Sequence, residues 1–311
     1  MAVEEHVNQF AEAVMNGDNS STVDRYKRAV RGWLEWLEEH DIGVWEADGD
    51  DLERHLNHLT ADGYAKSYAK VRRSAVSRFY QECAPDNVAN PSEGIDMKWS
   101  DLDGYKKEKA LRDRDYYIDD SDFEDMLEHA PAPKSRNIVL LKVLRRCGLR
   151  RGELAELREQ DLDKRAGIIK VYREKSGKII SIPVPDGLML ELARWRDIGR
   201  KTMGGYDPTA DWLFPSEKKP KLTGSHINKV VKEAADGAGI QRNIYTDKAG
   251  RERKRITAHS LRFSAAKDLQ DEGVGIDKIQ TFLGHSKVSQ TEHYLRGREQ
   301  AMQNAVRGTF D

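Results

Sequence analysis

The stretch Cys147–Pro183, CGLRRGELAELREQDLDKRAGIIKVYREKSGKIISIP, changes its periodicity midway, and that change decides the fold. Gly148 ends a helical run over Ser135–Cys147, as glycine commonly does, and a new helix begins near Arg151. Further on, Ile168–Tyr172 and Ile179–Ile182 are β-branched runs. Arg173–Lys178 joins them around Ser176-Gly177, which predicts a hairpin. Leu162 is positioned to begin a third strand, and Pro183 and Pro185 end the sheet.

Outward from this stretch the pattern is helical. Downstream, helices are expected over Leu188–Arg200, Ser225–Ala235, Ser260–Glu272, Ile276–Leu283 and Gln300–Arg307, and upstream over Ser121–His129. Nearer the N-terminus, Val30, Trp33, Leu34 and Leu37 recur at helical spacing within Thr22–His40, with Ser21 or Thr22 as N-cap. A short helix over Asp51–Leu59 is expected with Asp50 as its cap. A third, Ser67–Cys83, turns Tyr68, Ala75, Val76 and Phe79 inward, and Asn90-Pro91 ends the unit. Residues 1–19 read as an N-terminal arm and 20–97 as a helical domain. Residues 98–115 (KWSDLDGYKKEKALRDRD) are charged, lack apolar periodicity and read as a linker, and 116–311 form the second domain. The class is mainly α with a small antiparallel β-sheet.

The chain has 311 residues, 38% hydrophobic and 34% charged, enough for two cores. No run approaches the roughly 18 apolar residues of a spanning helix, and no signal peptide is visible. Two cysteines form neither a disulfide framework nor a cysteine-rich zinc site, so a cytoplasmic location is expected. The net charge of -1 argues against indiscriminate coating of nucleic acid. It conceals an asymmetry: residues 1–100 carry 11 Lys and Arg against 19 Asp and Glu, a balance of -8, and 101–311 carry 41 against 34, a balance of +7. Even the acidic part holds a basic run without acids, containing Lys66, Lys70, Arg72, Arg73 and Arg78. Lys66, Lys70 and Arg73 share one helical face, suited to phosphates or simply to solvent.

Three further segments stand out. Arg150 and Glu153 lie three apart in CGLRRGELAEL. His259 and Arg262 lie three apart in HSLRFSAAKDL, at a helix start that favours anions. LGHSKVSQTEHYL places His285 nine residues before Tyr294. Each alone is equally a structural pair or surface group. His55 and His58 have metal-pair spacing without further ligands nearby and read as solvated helix residues. Trp33 and Trp36 read as core. No P-loop is present.

In order, these pieces resemble the tyrosine recombinase (phage integrase) family, over nearly the whole chain. The resemblance implies a SAM-like core-binding domain over 20–97 and a catalytic domain over 116–311. Position by position, Arg150 matches the first catalytic arginine and Glu153 its supporting carboxylate. Lys175 matches the hairpin lysine, with Lys178 as rival. His259 and Arg262 match the His-x-x-Arg box, His285 the His-or-Trp position, and Tyr294 the nucleophile. Phe263, Cys147 and Arg151 depart from the family's usual His, Thr and apolar residue, and none is a proposed catalytic position.

The implied reaction is DNA cutting and rejoining through a 3′-phosphotyrosyl intermediate, with no metal or other cofactor. Arginines would hold the non-bridging oxygens and an acid would protonate the leaving 5′ oxygen. The implied partner is a double-stranded DNA recombination site, held by both domains as a clamp. The family implies a homotetramer on DNA and a monomer or dimer when free, with the segment after Tyr294 docking on a neighbour. Dimer resolution is the alternative to integration and excision. A type IB topoisomerase and a non-cleaving DNA-binding accessory protein are the rivals.

Overall fold

The computed structural model of the protein describes residues 2–15, 20–64, 66–95, 116–173, 177–246 and 252–284. The chain divides into two compact units, Met1–Lys109 and Ala110–Asp311. The expected linker 98–115 and the expected helix 300–307 lie outside the described residues.

The first unit is helical: α1 (Ala2–Val14), α2 (Ser20–Glu39), α3 (Gly49–Ala61) and α4 (Lys66–Cys83). One apolar cluster joins them, including Phe10, Val30, Trp33, Leu34, Leu37, Leu52, Leu56, Val76 and Phe79. The N-terminal arm is therefore corrected. Val7, Phe10 and Val14 recur at helical spacing, and all three are buried in that core. Arg31 on α2 adds a fork to the Glu4 carboxylate of α1, at 2.9 Å to each oxygen. The cap of α3 is Asp48, two residues before the expected Asp50. Its side chain accepts from the Asp51 N–H, and the Asp51 carboxylate accepts from the Asp48 N–H, a reciprocal capping box.

His55 is a second correction. It faces inward, 3% exposed, with ring centroids 5.3 Å from both Trp33 and Trp36. Burial first, then the charges of Arg72, His58 and His40, pushes its pKa down to about 3. Among the described residues no group of three His, Cys, Asp or Glu is placed to hold a metal ion.

The second unit is built around α6 (Lys134–Cys147), which packs against α8 (Asp186–Asp197) and α10 (Ala258–Asp271). Its core holds Leu140, Leu144, Cys147, Ile169, Val171, Leu192, Val231 and Leu261. Helix α5 (Asp120–Glu128) starts at Asp119, whose side chain accepts from the Asp122 N–H. Short α7 (Arg151–Ala155) packs on α9 (Gly224–Gly237). The expected sheet is present: β1 (Leu162–Asp163), β2 (Ile168–Arg173) and β3 (Lys178–Pro183) pair antiparallel in that order. The register runs from Ile168 opposite Pro183 to Arg173 opposite Lys178. Alternation then turns Ile169, Val171 and Arg173 to the buried face. A second hairpin, β4 (Asn243–Thr246) with β5 (Glu252–Lys254), has no counterpart in the sequence reading. It is short, polar and bulged at Asn243/Tyr245, so it lacks an apolar alternation to read.

A buried ion pair ties the start of this unit to α10. Arg145, 1% exposed, forks onto the Asp268 carboxylate and donates to the Ile118 carbonyl at 3.2 Å. This holds α10 beside α6. Helix α11 (Ile276–Leu283) follows and ends at Gly284 in the left-handed conformation, φ 61°.

Candidate active site

Helix α6 stops at Gly148, whose φ of 61° no β-carbon residue adopts cheaply. A Cβ there would also come within 2.8 Å of the Phe282 ring of α11. This tight corner brings the start of α7 and the end of α11 together. Arg150 is the residue just before α7. Its own N–H donates to Glu153 Oε2 at 2.7 Å, so the carboxylate caps the helix that carries it. Its guanidinium donates to Glu153 Oε1 at 2.6 Å.

Arg262 reaches the same carboxylate from α10. Its Nη1 lies 3.8 Å from Glu153 Oε2, and the side chain is 2% exposed. Nη1 also donates to the Gly148 carbonyl and Nη2 to the Leu283 carbonyl. One fork thus joins the ends of α6 and α11.

A third arginine, Arg173, arrives from the buried face of β2. Its Nε lies 3.8 Å from Glu153 Oε1, and its Nη2 donates to the Phe282 carbonyl at 2.8 Å. Burial first lowers its pKa, Glu153 opposes that, and Arg150 adds to it.

The last carbonyls of a helix have no partner within it. Here three consecutive ones, of Phe282, Leu283 and Gly284, accept from Arg173, Arg262 and Arg150, the last at 3.1 Å. These carbonyls carry the negative end of the helix dipole, which suits cations. Three guanidiniums therefore converge on one carboxylate and one helix end. The cluster keeps two positive charges beyond what Glu153 balances. Arg150 is its open member, with 42% of its side chain exposed. An exposed cation backed by buried ones is an arrangement that receives an anion.

The structure thus brings together Arg150, Glu153 and Arg262, which lie up to 112 positions apart in the chain. His259 sits exposed in the first turn of α10, three residues before Arg262. Lys175, His285 and Tyr294 lie outside the described residues. Lys175 is two positions beyond Arg173, and His285 directly follows Gly284. The rival Lys178 is exposed at the start of β3. Two of the departures from the family pattern are packing residues: Cys147 and Phe263 are buried, and burial lifts the Cys147 thiol to about 12.

The sequence reading missed Arg173 because it ended the strand at Tyr172. The signal was present: an arginine in the inward slot after Ile169 and Val171.

The basic run on α4 is corrected in part. Arg72 Nη1 donates to the carbonyls of Arg28 and Ala29 on α2, at 2.7 and 2.6 Å, and its Nη2 donates to the Tyr68 hydroxyl. Arg73 donates to the carbonyls of Ser92 and Ile95, at 3.1 and 3.2 Å. Arg78 pairs with Glu82. Arg72 and Arg73 thus pin α4 to the rest of the helical unit, and the Arg78 pair lies within α4. Lys70 is exposed, and the Lys66 side chain is outside what is described.

Comparison with known proteins identifies the family. Residues 117–301 match the phage integrase family, and residues 7–84 match the phage integrase N-terminal SAM-like domain. Tyrosine recombinase XerA of Thermococcus kodakarensis is 26% identical over 290 residues, covering 91% of this chain and 86% of the relative. The Tn1549 transposon integrase in complex with transposon right end DNA has a TM-score of 0.68 at 16% identity, covering 96% of this chain and 99% of that one. A lambda integrase tetramer bound to a Holliday junction has a TM-score of 0.64 at 17% identity, covering 93% and 76%. No helix among the described residues is long and apolar enough to cross a membrane. With two matched segments that between them span most of its length, the chain belongs to the phage integrase family, the tyrosine recombinases, which cut and rejoin DNA through a tyrosine nucleophile.

Proposed function

We propose that the protein is a site-specific DNA recombinase in which Arg150 and Arg262 clamp the scissile phosphate and Tyr294 attacks it. The observation that carries this is the convergence of both arginines on Glu153. The Tyr294 phenolic oxygen forms a bond to phosphorus as the bond to the 5′ oxygen breaks. His259 accepts the phenol proton or orients the phenol. Lys175 gives a proton to the leaving 5′ oxygen. His285 donates a hydrogen bond to a non-bridging oxygen. The products are a 3′-phosphotyrosyl enzyme and a free 5′ hydroxyl, and the reverse steps rejoin the strand. Positive charge from the arginines offsets the charge that builds on the pentacoordinate phosphorus.

The partner is a double-stranded recombination site in the cytoplasm. The helical unit contributes Lys70 to the phosphate contacts. Four protomers act on two paired sites, and the free protein is a monomer or dimer.

A suicide site, nicked so that the cut 5′ end diffuses away, tests the reading. Wild-type protein yields a covalent protein–DNA band on a denaturing gel, and Tyr294→Phe yields none. A band that persists in Tyr294→Phe refutes the assignment of the nucleophile.

A further inference from the structure

Arg173 has no part in the reaction proposed above, yet its guanidinium lies within the same cluster. We infer that Arg173 is a positioning residue for the phosphate clamp, acting on Arg150 and Arg262 through Glu153 and the end of α11. The inference rests on the reading of those two arginines as the clamp.

The Arg173 side chain is 5% exposed and lies on the inward face of β2. Among the described residues, it reaches groups that the clamp also uses. Glu153 Oε1 stands between Arg150 Nη1, at 2.6 Å, and Arg173 Nε, at 3.8 Å. Glu153 Oε2 stands between the Arg150 N–H, at 2.7 Å, and Arg262 Nη1, at 3.8 Å. Rotation of the carboxylate toward any one cation therefore changes its distance to the others. Arg173 is one of the charges that fix this rotation.

The second route is the helix end. Arg173 holds the Phe282 carbonyl, next to the two carbonyls that Arg262 and Arg150 hold. A Cβ on Gly284 would overlap the Arg173 guanidinium, so the turn closes directly over that arginine. Removal of Arg173 would leave a cavity under the turn that supplies acceptors to both clamp arginines. Placement errors of about 1 Å at such groups cost on the order of 100-fold in rate.

The test is single-turnover formation of the covalent complex by the full-length protein on the suicide site. Arg173→Met should cleave about 10- to 100-fold more slowly, with DNA affinity within about threefold of wild type. Arg173→Lys, which keeps the charge and a donor for Phe282, should fall between the two. Paired with Glu153→Gln, the Arg173→Met change should slow cleavage by no more than about threefold further, because the two act as one unit. A purely structural role would lower the unfolding midpoint without this coupling in rate. Cleavage by Arg173→Met within threefold of wild type, a lysine variant no faster than Arg173→Met, or effects that multiply would each overturn the inference. Should Arg173→Met fail to fold, Arg173→Lys alone decides: a slowed rate at unchanged affinity supports the inference, and a wild-type rate overturns it. Arg262→Gln separates the two readings. If it cleaves like wild type, the clamp itself is wrong. If it is inactive while Arg173→Met is not, only the role of Arg173 fails.

Discussion

Glu153→Gln perturbs the site at the one carboxylate that three arginines share. The substitution keeps the size of the side chain and removes its charge. Glu153 is 9% exposed, and Arg173 and Arg262 are more deeply buried still. Without it, two buried guanidiniums lose the carboxylate they share, while their backbone carbonyl acceptors stay. Removing one partner of a buried ion pair costs about 3–5 kcal/mol. The lower figure applies, because the Arg150 contact is half open to solvent and screened. A loss of about 3 kcal/mol in a unit of this size lowers the unfolding midpoint by about 6–12 °C. The glutamine NH₂ would also face a guanidinium in place of an acceptor, so Arg150 would turn away and cleavage should fall at least about tenfold. Differential scanning calorimetry at 50 and 500 mM salt checks the first number. The loss should be nearly independent of salt, because the pairs are buried. A midpoint within 2 °C of wild type, or a loss that disappears at high salt, would show that Glu153 does not organise the cluster.

Four other outcomes follow from the structure. Lys70→Ala should reduce the salt slope of DNA binding by about one, measured by titration across a salt series. Arg72→Ala should leave that slope unchanged and lower the unfolding midpoint, because its guanidinium holds the α2 carbonyls. His55 should make the helical unit acid-sensitive. Its folded pKa of about 3 lies below the ordinary 6.5, so protonation favours the unfolded chain. The stabilisation is complete above pH 6.5 and is lost as pH falls toward 3, about 2 kcal/mol of it by pH 5. Urea unfolding followed by the fluorescence of Trp33 and Trp36 should show this, and His55→Leu should reduce the pH dependence by that amount. Gly148→Ala should destabilise the second unit and slow cleavage together, through its left-handed backbone and the 2.8 Å approach to Phe282, measured by thermal melt and suicide-site kinetics.

Much of this architecture is legible in local patterns. Helix α11 has the predicted bounds, Ile276–Leu283, because its apolar spacing is clear and Gly284 stops it. The β2–β3 hairpin is carried by β-branched runs on both sides of a glycine turn. What escaped depends on tertiary partners. Helix α1 is the exception: Val7, Phe10 and Val14 already mark its face by spacing, and the core they share with Phe79 shows that the face is buried. Arg72 and Arg73 look like a phosphate-facing surface until the carbonyls of Arg28, Ala29, Ser92 and Ile95 come within reach. His55 looks solvated until two tryptophans enclose it. In the site, the spacing of Arg150, Glu153 and Arg262 marked the residues but not their geometry. The role of α11 as acceptor for three arginines is a property of the folded chain alone.

The central claim is that this arginine cluster presents a phosphate to Tyr294. Mass spectrometry of the trapped complex, after exhaustive nuclease and protease digestion, tests it most directly. The account predicts a single modified peptide, carrying a 3′-nucleotide on Tyr294, and its absence in Arg262→Gln. A nucleotide on any other residue, or an undiminished Tyr294 adduct in Arg262→Gln, would contradict it.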